Sequence, residues 1–454
     1  MNQIVEPTGA ARCQGYQLSK QRNAPDPELT QVGPGTPCGE YLRRYWHPVA
    51  LAEDVGEVPY KLRILGEDLI LFRERGGRYG LVHQRCPHRL ASLEYGTCED
   101  RGIRCCYHGW LFDVDGTLLE TPGQPEEVGS KLRESVQLGA YPVREYKGLI
   151  FAYMGPPEKI PPFPIYDAFD IPGMTLMPYK APFHCNWLQV LDAILDPIHT
   201  SFLHSRISRV QFTEALGELG VLGFAERGMQ IVGTNTRRVN DNVWIRVNEL
   251  ILPNFTQAGA AFATDGTKVR YFGRSSFTRW VVPIDDENSW AIAWACFGER
   301  GDPPQWMTRE GCELIEQGEL FDRTYEEKQR HPGDAEATEG MGRITVHADE
   351  HLAPSDRGIA VMRQRMRKAV RDLVAGKEPP QPTAPAGQTI RSLGGDTVIH
   401  APARKGGDDE AFLKEIGKKV LDIQMAGDAR SDAERDDWVI AELKAYEKQL
   451  AVAQ

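Results

Sequence analysis

Residues 86–110 read CPHRLASLEYGTCEDRGIRCCYHGW and contain two pairs of cysteine and histidine. The first pair is Cys86 and His88, the second is Cys105 and His108, and sixteen residues separate the two pairs. Two thiolates and two imidazoles from two loops can hold an iron–sulfur cluster in which the Cys bind one iron and the His bind the other. A structural zinc site accepts the same four ligands. Chance proximity of Cys and His in loops is the third interpretation.

The sequence around these pairs predicts a small antiparallel β domain. The runs YKLRILGEDLILFRER (60–75), RYGLVHQ (78–84) and LIFAYMG (149–155) alternate with Gly-containing turns such as DVDGT (113–117). Short strand-like runs bounded by such turns are typical of antiparallel sheets. Zinc motifs usually keep Cys with Cys and His with His, often with the His on a helix. The mixed pairs and their β context therefore favour the iron–sulfur interpretation.

A second motif lies in HCNWLQVLDAILDPIHTSFLH (184–204), where Asp196, His199 and His204 form the pattern D-x-x-H-x-x-x-x-H. Two His and one carboxylate on one face of a metal leave positions open, which suits Fe(II) that must bind O₂ beside a substrate. A spacing of five does not place both His on one face of a regular helix. The motif therefore predicts a helix that is irregular or ends there. The alternative is that Asp196 and Pro197 simply start a helix and the His are buried core residues.

The rest of the chain alternates in composition and predicts an α+β fold with four parts. Pro-rich stretches at 155–166 and 377–390 are typical of linkers. Between them, long strand-like runs (228–239, 242–252, 268–284, 289–298) are bracketed by helical patterns at 186–204, 311–330 and 353–376. The end of the chain predicts one or two amphipathic helices. We expect a lead-in, a β domain, a catalytic domain and a C-terminal extension, at residues 1–38, 39–155, 156–375 and 376–454.

The segments CPHR and CYHGW, with GEDLILFRE before them and FDVDGT after, closely resemble the Rieske domain of bacterial ring-hydroxylating oxygenases. The resemblance implies a [2Fe-2S] Rieske cluster bound by Cys86, His88, Cys105 and His108. Respiratory Rieske proteins tie the two cluster loops together with a disulfide, but the first loop here offers no partner for Cys106. We therefore expect no such disulfide, and a lower-potential cluster that takes electrons from a reductase.

The segment NWLQVLD…DPIHTSFLH resembles the mononuclear iron site of the phthalate dioxygenase-like Rieske oxygenases. The resemblance implies that His199 and His204 bind Fe(II). It also implies that Asp196 bridges the two metal centres. Its carboxylate would accept hydrogen bonds from His199 and from a cluster histidine of a neighbouring subunit, His108, which would fix both imidazole tautomers.

The third iron ligand cannot be chosen from the residues alone, because the chain has 64 acidic residues. The segment 333–359 resembles the family's stretch of a ligand Asp followed by a Met-Gly step, which places Asp334 at the ligand position. Two departures are Gly333, where the family has Gln or Glu, and Val346-His347, where it has Asp-Arg. Asp334 can instead cap the loop after Pro332. Two other acids remain candidates, Glu336 and Glu339.

Composition excludes several functional classes. The net charge of −11 repels phosphate backbones, so we expect no nucleic-acid partner. The first 20 residues lack the apolar core of a signal peptide, and no run approaches the ~20 apolar residues of a membrane helix. Nine cysteines, most of them scattered singly, indicate reduced thiols rather than a disulfide framework. We expect a cytoplasmic protein without membrane association.

The resemblance covers roughly residues 29–375 and implies a Rieske β domain, a helix-grip (START-like) catalytic domain and a head-to-tail homotrimer. Electrons would come from NAD(P)H through a separate reductase or ferredoxin, and an aromatic substrate would react with O₂. The C-terminal extension is similar to that of lignin-biphenyl O-demethylases, so we expect O-demethylation of an aromatic carboxylate such as dehydrodivanillate, with formaldehyde released. Ring dihydroxylation is the alternative. Four arginines are candidates for the substrate carboxylate: Arg206, Arg209, Arg246 and Arg270.

Two competing functions come from other classes. An electron carrier with only the β domain would leave nearly 300 residues, including His199 and His204, without a role. A zinc-stabilised binding protein would be colourless.

Overall fold

The computed structural model describes residues 15–20, 23–316 and 322–452. Among these residues, no helix combines the length and the apolar character that crossing a bilayer requires.

Residues 46–153 form three small antiparallel sheets. Their strands are β1 (Trp46–Leu51), β2 (Tyr60–Ile64), β3 (Glu67–Arg73), β4 (Tyr79–His83), β5 (Thr97–Cys98), β6 (Ile103–Arg104), β7 (Leu111–Phe112), β8 (Leu118–Glu120), β9 (Ala140–Tyr141), β10 (Val143–Tyr146) and β11 (Leu149–Tyr153). The strand orders are β1-β11-β10, β2-β3-β4-β9 and β5-β6-β7-β8. The β domain predicted for this region is confirmed as antiparallel.

These small sheets pack into two separate cores. One core holds the two Cys–His loops, with Phe72, Trp110 and Phe112 around the buried Cys86 and Cys105. The sheet β1-β11-β10 instead packs into the large core of the second half of the chain. The Cys–His loops therefore project from a base that is fused to the rest of the protein.

A nine-stranded antiparallel sheet organises the second half of the chain. Its strands are β12 (Met174–Phe183), β13 (Val221–Arg227), β14 (Gln230–Val239), β15 (Asn242–Ile251), β16 (Phe255–Ala258), β17 (Arg270–Arg274), β18 (Phe277–Pro283), β19 (Ser289–Gly298) and β20 (Gly395–His400). The main order is β12-β19-β18-β16-β15-β14-β13, and β20 lies between β15 and β17. The run 268–284 is two strands rather than one, because β17 pairs with β20 and β18 pairs with β16 and β19.

The helices are short except for three near the C-terminus. They are α1 (Gly15–Ser19), α2 (Pro27–Thr30), α3 (Pro37–Leu42), α4 (Glu126–Ser135), α5 (Trp187–Asp192), α6 (His199–Ser201), α7 (Arg309–Ile315), α8 (Tyr325–Arg330), α9 (Asp334–Glu339), α10 (Arg357–Val374), α11 (Asp409–Ala426) and α12 (Asp432–Val452). The helical region predicted at 311–330 corresponds to α7 and α8, and its residues 317–321 lie outside the described residues.

The apolar stripe predicted for 353–376 is confirmed in α10, which buries Ile359, Met362, Met366 and Val370 at helical spacing. The α+β fold class follows from the antiparallel sheet and its bracketing helices.

The C-terminal segment is part of the large sheet rather than an appendage to it. The predicted helices are confirmed as α11 and α12, which pack on the sheet over a core that includes Val243, Ile245 and Phe272. The sequence analysis missed β20, a six-residue strand directly after a Pro-rich stretch. Its residues Gly395–His400 pair in register with residues 242–247 of β15.

Candidate metal centres

The two Cys–His loops have the same backbone conformation. In the first loop, the N–H of Cys86 donates to the carbonyl of Ala91 over 2.9 Å, and the N–H of Leu90 donates to the carbonyl of Cys86 over 2.9 Å. The second loop repeats both bonds at the same spacing, through Cys105, Gly109 and Trp110. The fifth residue of each loop has a positive φ, 63° at Leu90 and 71° in the second loop. The two cysteines therefore occupy equivalent positions, whereas the histidine follows its cysteine by two residues in the first loop and by three in the second.

The thiols of Cys86 and Cys105 are buried and face each other. Burial raises the pKa of the Cys86 thiol to about 11, the N–H of His88 opposes this rise, and the nearby Cys105 thiol adds to it. The described cysteines are free thiols, and Cys106 points to solvent. A pair of buried thiols with no disulfide partner matches the sulfur ligands of one iron of a Rieske cluster.

The imidazoles of His88 and His108 lie together at the outer end of the loops. Their ring centroids are 4.5 Å apart, and the His88 ring stacks on Trp110 at 4.4 Å with an interplanar angle of 5°. Burial lowers the pKa of His88, and the positive charges of His108 and Arg89 lower it further, which favours the neutral imidazole that a metal needs. The residues present therefore fit a [2Fe-2S] cluster with two inner thiolates and two outer imidazoles.

The helical segment that carries the second motif is irregular, as its spacing predicts. The α-helical turn of α6 is followed by a π-helical turn at Phe202–Arg206, in which the N–H of Ile207 donates to the carbonyl of Phe202 over 2.9 Å. A π turn holds one more residue than an α turn. It therefore brings His204 to the same face as His199, despite their spacing of five residues.

Asp334 completes a group of three candidate metal ligands with His199 and His204. One ligand atom from each lies within 4.8 Å of the others. The Oδ1 atom of Asp334 is 3.7 Å from Nε2 of His199 and 3.6 Å from Nε2 of His204, which is too long for a hydrogen bond and leaves space for an ion. Two imidazoles and one carboxylate are the facial set of non-haem Fe(II) oxygenases.

Hydrogen bonds and burial prepare these residues for a metal. The Nδ1 of His199 donates to the backbone carbonyl of Asp196, which leaves Nε2 deprotonated toward Asp334. Burial lowers the pKa of His204 to about 4. Burial also opposes ionisation of Asp334, but the charges of His204, His199 and Arg279 outweigh it and lower the pKa of this carboxyl. A metal ion bound here would take the place of the imidazole protons beside the ionised carboxylate, because metal ligands must be deprotonated.

Gln189 of α5 holds the remote carboxylate in place. Its Nε2 donates to the carbonyl of Thr338 over 2.7 Å, and its Oε1 accepts from the N–H of Thr345 over 2.9 Å. Two other acids were candidates for the third ligand, and both are engaged elsewhere. Glu336 pairs with Arg323, and Glu339 accepts the backbone N–H of His184. Of the three acids, only Asp334 meets the histidines.

Asp196 starts the helical turn and stays accessible. Its Oδ1 accepts the N–H of Ile198 over 3.1 Å and that of His199 over 3.3 Å, so the helix-start interpretation holds. Its Oδ2 is 3.9 Å from Nδ1 of His199, for which the Asp196 backbone carbonyl is the nearer acceptor. The side chain is 32% exposed. A carboxylate can therefore cap this turn and still face a neighbouring molecule.

A cavity of about 60 Å³ lies beside His199, His204 and Asp334. Its walls combine apolar side chains, which include Ile194, Leu216, Phe277 and Ile315, with polar and charged ones.

Of the four candidate arginines, only Arg246 lines this cavity. Its Nη1 donates to the carbonyl of Ala260 over 2.8 Å, and within the described chain its buried Nε has no hydrogen-bond partner. Arg206 and Arg209 are exposed, and Arg270 donates to backbone carbonyls elsewhere. The sequence analysis missed Arg279, which lines the cavity from β18 and pairs with Glu316 at 3.3 Å. Nothing in its local pattern distinguishes it from a solvated strand residue.

Comparison with known proteins identifies the family. A profile of the Rieske [2Fe-2S] domain matches residues 45–146. The chain is 39% identical to the tert-butanol monooxygenase / tert-amyl alcohol desaturase oxygenase subunit of Aquincola tertiaricarbonis, over 96% of each chain. It is 40% identical to the phenoxybenzoate dioxygenase subunit alpha of Ectopseudomonas oleovorans, over 78% of this chain and 87% of the relative.

Two further matches extend this result. The chain is 32% identical to the 5,5'-dehydrodivanillate O-demethylase oxygenase subunit of Sphingobium sp. (strain NBRC 103272 / SYK-6), over 80% of this chain and 82% of the relative. The crystal structure of dicamba monooxygenase bound to dicamba shares the fold, with a TM-score of 0.55 and 18% identity, over 74% of this chain and all of that one. The chain therefore belongs to the Rieske non-haem iron oxygenases, as an oxygenase subunit that carries a [2Fe-2S] cluster and a mononuclear iron and receives electrons from a separate reductase.

Proposed function

We propose that this subunit oxygenates an aryl ether that carries a carboxylate, at the carbon bonded to the ether oxygen. The observation that carries the proposal is Arg246, which lines the cavity beside His199, His204 and Asp334 and whose buried Nε has no hydrogen-bond partner within the described residues. A cation in an apolar wall selects an organic anion, because the ring packs on the wall while the carboxylate pairs with the guanidinium.

Each metal centre has its own set of residues in this proposal. The cluster is held by two Cys and two His, which are Cys86, Cys105, His88 and His108. The iron is held by two His and one Asp, which are His199, His204 and Asp334. The cluster and the iron supply electron transfer and activation of O₂ when bound. We assign the parts of the chain as proposed from the sequence: a Rieske domain at 39–155, a catalytic domain at 156–375, a lead-in at 1–38 and an extension at 376–454.

The residues around the cavity bind and orient the substrate. Arg246 binds the carboxylate, and the apolar walls exclude water and hold the ring so that the ether carbon faces the iron ligands. Hydroxylation of a methoxy carbon consumes one O₂, two electrons and two protons, and gives a hemiacetal and one water. The hemiacetal C–O bond then breaks, with a phenol and formaldehyde as products. This sequence of events is net O-demethylation.

The relatives support an aryl ether carboxylate. Dehydrodivanillate and phenoxybenzoate, the substrates that two of them are named for, share a carboxylate and an aryl ether. O-demethylation of a lignin-derived acid such as dehydrodivanillate therefore remains our specific proposal. Ring dihydroxylation of an aromatic carboxylate is the alternative within the same site, since the iron ligands are common to both reactions.

A small tertiary alcohol is a second candidate substrate, and the cavity volume favours it. The cavity of about 60 Å³ is smaller than the ~150 Å³ that accepts benzene. The relative named for tert-butanol matches along 96% of this chain, including the C-terminal segment. An aromatic substrate would require the cavity side chains to move apart, whereas a four-carbon alcohol would require less movement.

We further propose a cytoplasmic head-to-tail homotrimer in which the cluster of one subunit meets the iron of the next. Exposed apolar side chains lie at both ends of this proposed contact, Tyr107 at the cluster loops and Ile207 and Val210 beyond the iron helix. Asp196 would then accept a hydrogen bond from His108 of the neighbouring subunit. The carboxylate would link the two centres and fix the tautomers of both imidazoles.

A single turnover tests the substrate class. The holoenzyme is reduced chemically, freed of reductant, and mixed with O₂ and one of dehydrodivanillate, 3-phenoxybenzoate, phthalate or tert-butanol. Oxidation of the cluster is followed by its visible absorbance, and products are assayed as formaldehyde, phenol, ring diol and hydroxylated alcohol. We expect rapid cluster oxidation with formaldehyde from dehydrodivanillate or phenol from 3-phenoxybenzoate. Oxidation triggered by tert-butanol alone would replace this proposal with the alcohol candidate.

A further inference from the structure

The strand β20 places one buried carboxylate directly behind the cavity. Asp396 lies opposite Arg246 in the antiparallel pairing of β15 and β20, so both side chains are on the same face of the sheet. Asp396 has no exposed surface. Strand β20 therefore places a charged group beside Arg246, although the residues that line the cavity all precede residue 340.

Three donors converge on the two oxygens of Asp396. The indole Nε1 of Trp244 donates to Oδ1 over 2.7 Å, and the backbone N–H of Ala260 donates to Oδ2. The Nη1 of Arg246 is 3.9 Å from Oδ1. A carboxylate accepts on both oxygens, whereas an amide can accept on only one. An asparagine at this position could therefore satisfy only one of the Trp244 and Ala260 donors.

Arg246 is held at one end and free at the other. Its Nη1 donates to the carbonyl of Ala260, whose N–H is bound by Asp396, so Arg246, Ala260 and Asp396 form a closed set of contacts. Arg246 lines the cavity, and its Nε is buried without a hydrogen-bond partner within the described residues. The guanidinium thus has one defined orientation before any ligand arrives, which lowers the entropic cost of binding.

A second buried cation makes Asp396 necessary for charge balance. Arg237 lies over the Trp244 ring at 5.2 Å, and burial lowers its pKa to about 9. The charge of Arg246 lowers this pKa further, while Asp396 opposes the fall. Without the carboxylate, two buried guanidinium groups would face each other uncompensated.

We propose that Asp396 is the positioning residue for substrate binding: it holds Arg246 so that the guanidinium meets the substrate carboxylate. This inference rests on the proposed function, in which Arg246 binds that carboxylate. It makes the C-terminal strand part of the substrate site, although Asp396 itself touches no substrate.

Asp302 offers a matched control in the same wall. It is also fully buried, and it accepts the N–H groups of Ala261, Phe262 and Ala263, the residues that follow Ala260. No contact joins it to Arg246 within the described residues. An Asp302→Asn variant therefore disturbs the same loop but keeps the contact between Asp396 and Arg246.

The test compares a carboxylate with its uncharged analogue. For wild type, Asp396→Asn, Asp302→Asn, Arg246→Gln and the double variant of residues 246 and 396, cluster oxidation in single turnover is measured against 3-phenoxybenzoate and 3-phenoxybenzamide. Both the half-saturating concentration and the maximal rate are determined, on protein of matched iron and cluster content.

We expect Asp396→Asn to raise the half-saturating concentration of the carboxylate about tenfold, because the guanidinium of Arg246 would no longer be held in one orientation before the substrate binds. The value for the amide should change less than about twofold, and the maximal rate should be retained. Asp302→Asn should leave the ratio of the two half-saturating concentrations, carboxylate to amide, unchanged. The double variant should have the same half-saturating concentration for the carboxylate as Arg246→Gln. If Asp396→Asn does not fold, Trp244→Phe, which removes one donor to the carboxylate, should raise the same concentration by a smaller factor.

The outcomes separate the two levels of the proposal. If wild type does not prefer the carboxylate to the amide, or Arg246→Gln does not reduce that preference, the proposed function fails and this inference fails with it. If Arg246→Gln reduces the preference while Asp396→Asn leaves it unchanged or strengthens it, Asp396 only screens the charge of Arg246, and the inference alone is overturned.

Discussion

The two candidate metal centres are built in opposite ways. The cluster loops repeat one backbone conformation twice, and each loop presents its own Cys and His to a centre between them. The candidate iron ligands come from an irregular helical turn and from α9, far along the chain, and Gln189 of α5 hydrogen-bonds the segment that carries Asp334. The first centre depends on local structure, whereas the second depends on tertiary packing. This difference predicts how each centre responds to substitution.

The largest expected effect is loss of the cluster in Cys105→Ser. A serine hydroxyl at this position cannot replace the thiolate, so the protein should lose its visible absorbance and all turnover, while the mononuclear iron remains. The neighbouring Cys106→Ser is the control, because that thiol is exposed and should be dispensable. Cluster content and iron are measured together. Equal loss in both variants would contradict the assignment of ligands in the second loop.

His199→Ala should remove the mononuclear iron and spare the cluster. Because the two centres lie in separate hydrophobic cores, the brown colour of the cluster should stay. Turnover should fall by more than about 100-fold, which exceeds the effect of substituting a residue that only hydrogen-bonds to a metal ligand. His184→Ala, an exposed histidine near the same helix, is the control. Iron analysis and visible spectra check the result. Loss of the cluster as well would show that the two centres are not independent.

Asp196→Asn tests the link between the centres. Asparagine also starts helices well, so the turn that carries His199 should be preserved and both metals retained. Turnover should fall about 10- to 100-fold, because the amide no longer fixes the neighbouring imidazoles as a carboxylate does. Single-turnover rates and metal content are measured on the same sample. Normal turnover in this variant would exclude the bridging role.

The smallest expected effect is a change in stability that differs in sign between the two cluster loops. Leu90 and Gly109 occupy equivalent positions with positive φ, which costs a residue with a side chain about 1 kcal/mol. Leu90 is 62% exposed, so Leu90→Gly should stabilise the domain by about that amount, and Gly109→Ala should destabilise it similarly. The temperature at which the cluster absorbance is lost measures both shifts. Shifts of the same sign would show that the loops are not equivalent.

The same contrast explains what could be predicted from the sequence. The four candidate cluster ligands follow from spacing and residue type, because one short segment supplies them all. The irregular turn between His199 and His204 also follows from spacing. Asp334 required a resemblance to known proteins, since 64 acidic residues offer no local signal. Arg279 and strand β20 could not be found, because their roles depend on which strands meet in space.

Strand β20 also has a consequence for the order of synthesis. Residues 242–247 of β15 leave the ribosome about 150 residues before their partners at 395–400. During that interval, β20 is missing, so this part of β15 lacks its neighbour on one side and β17 lacks its hydrogen-bonded partner. The contacts of Asp396 that hold Arg246 cannot form either. The large sheet is therefore completed only after residue 400 has been synthesised, so a nascent chain that stops before residue 395 exposes an open strand edge to other chains.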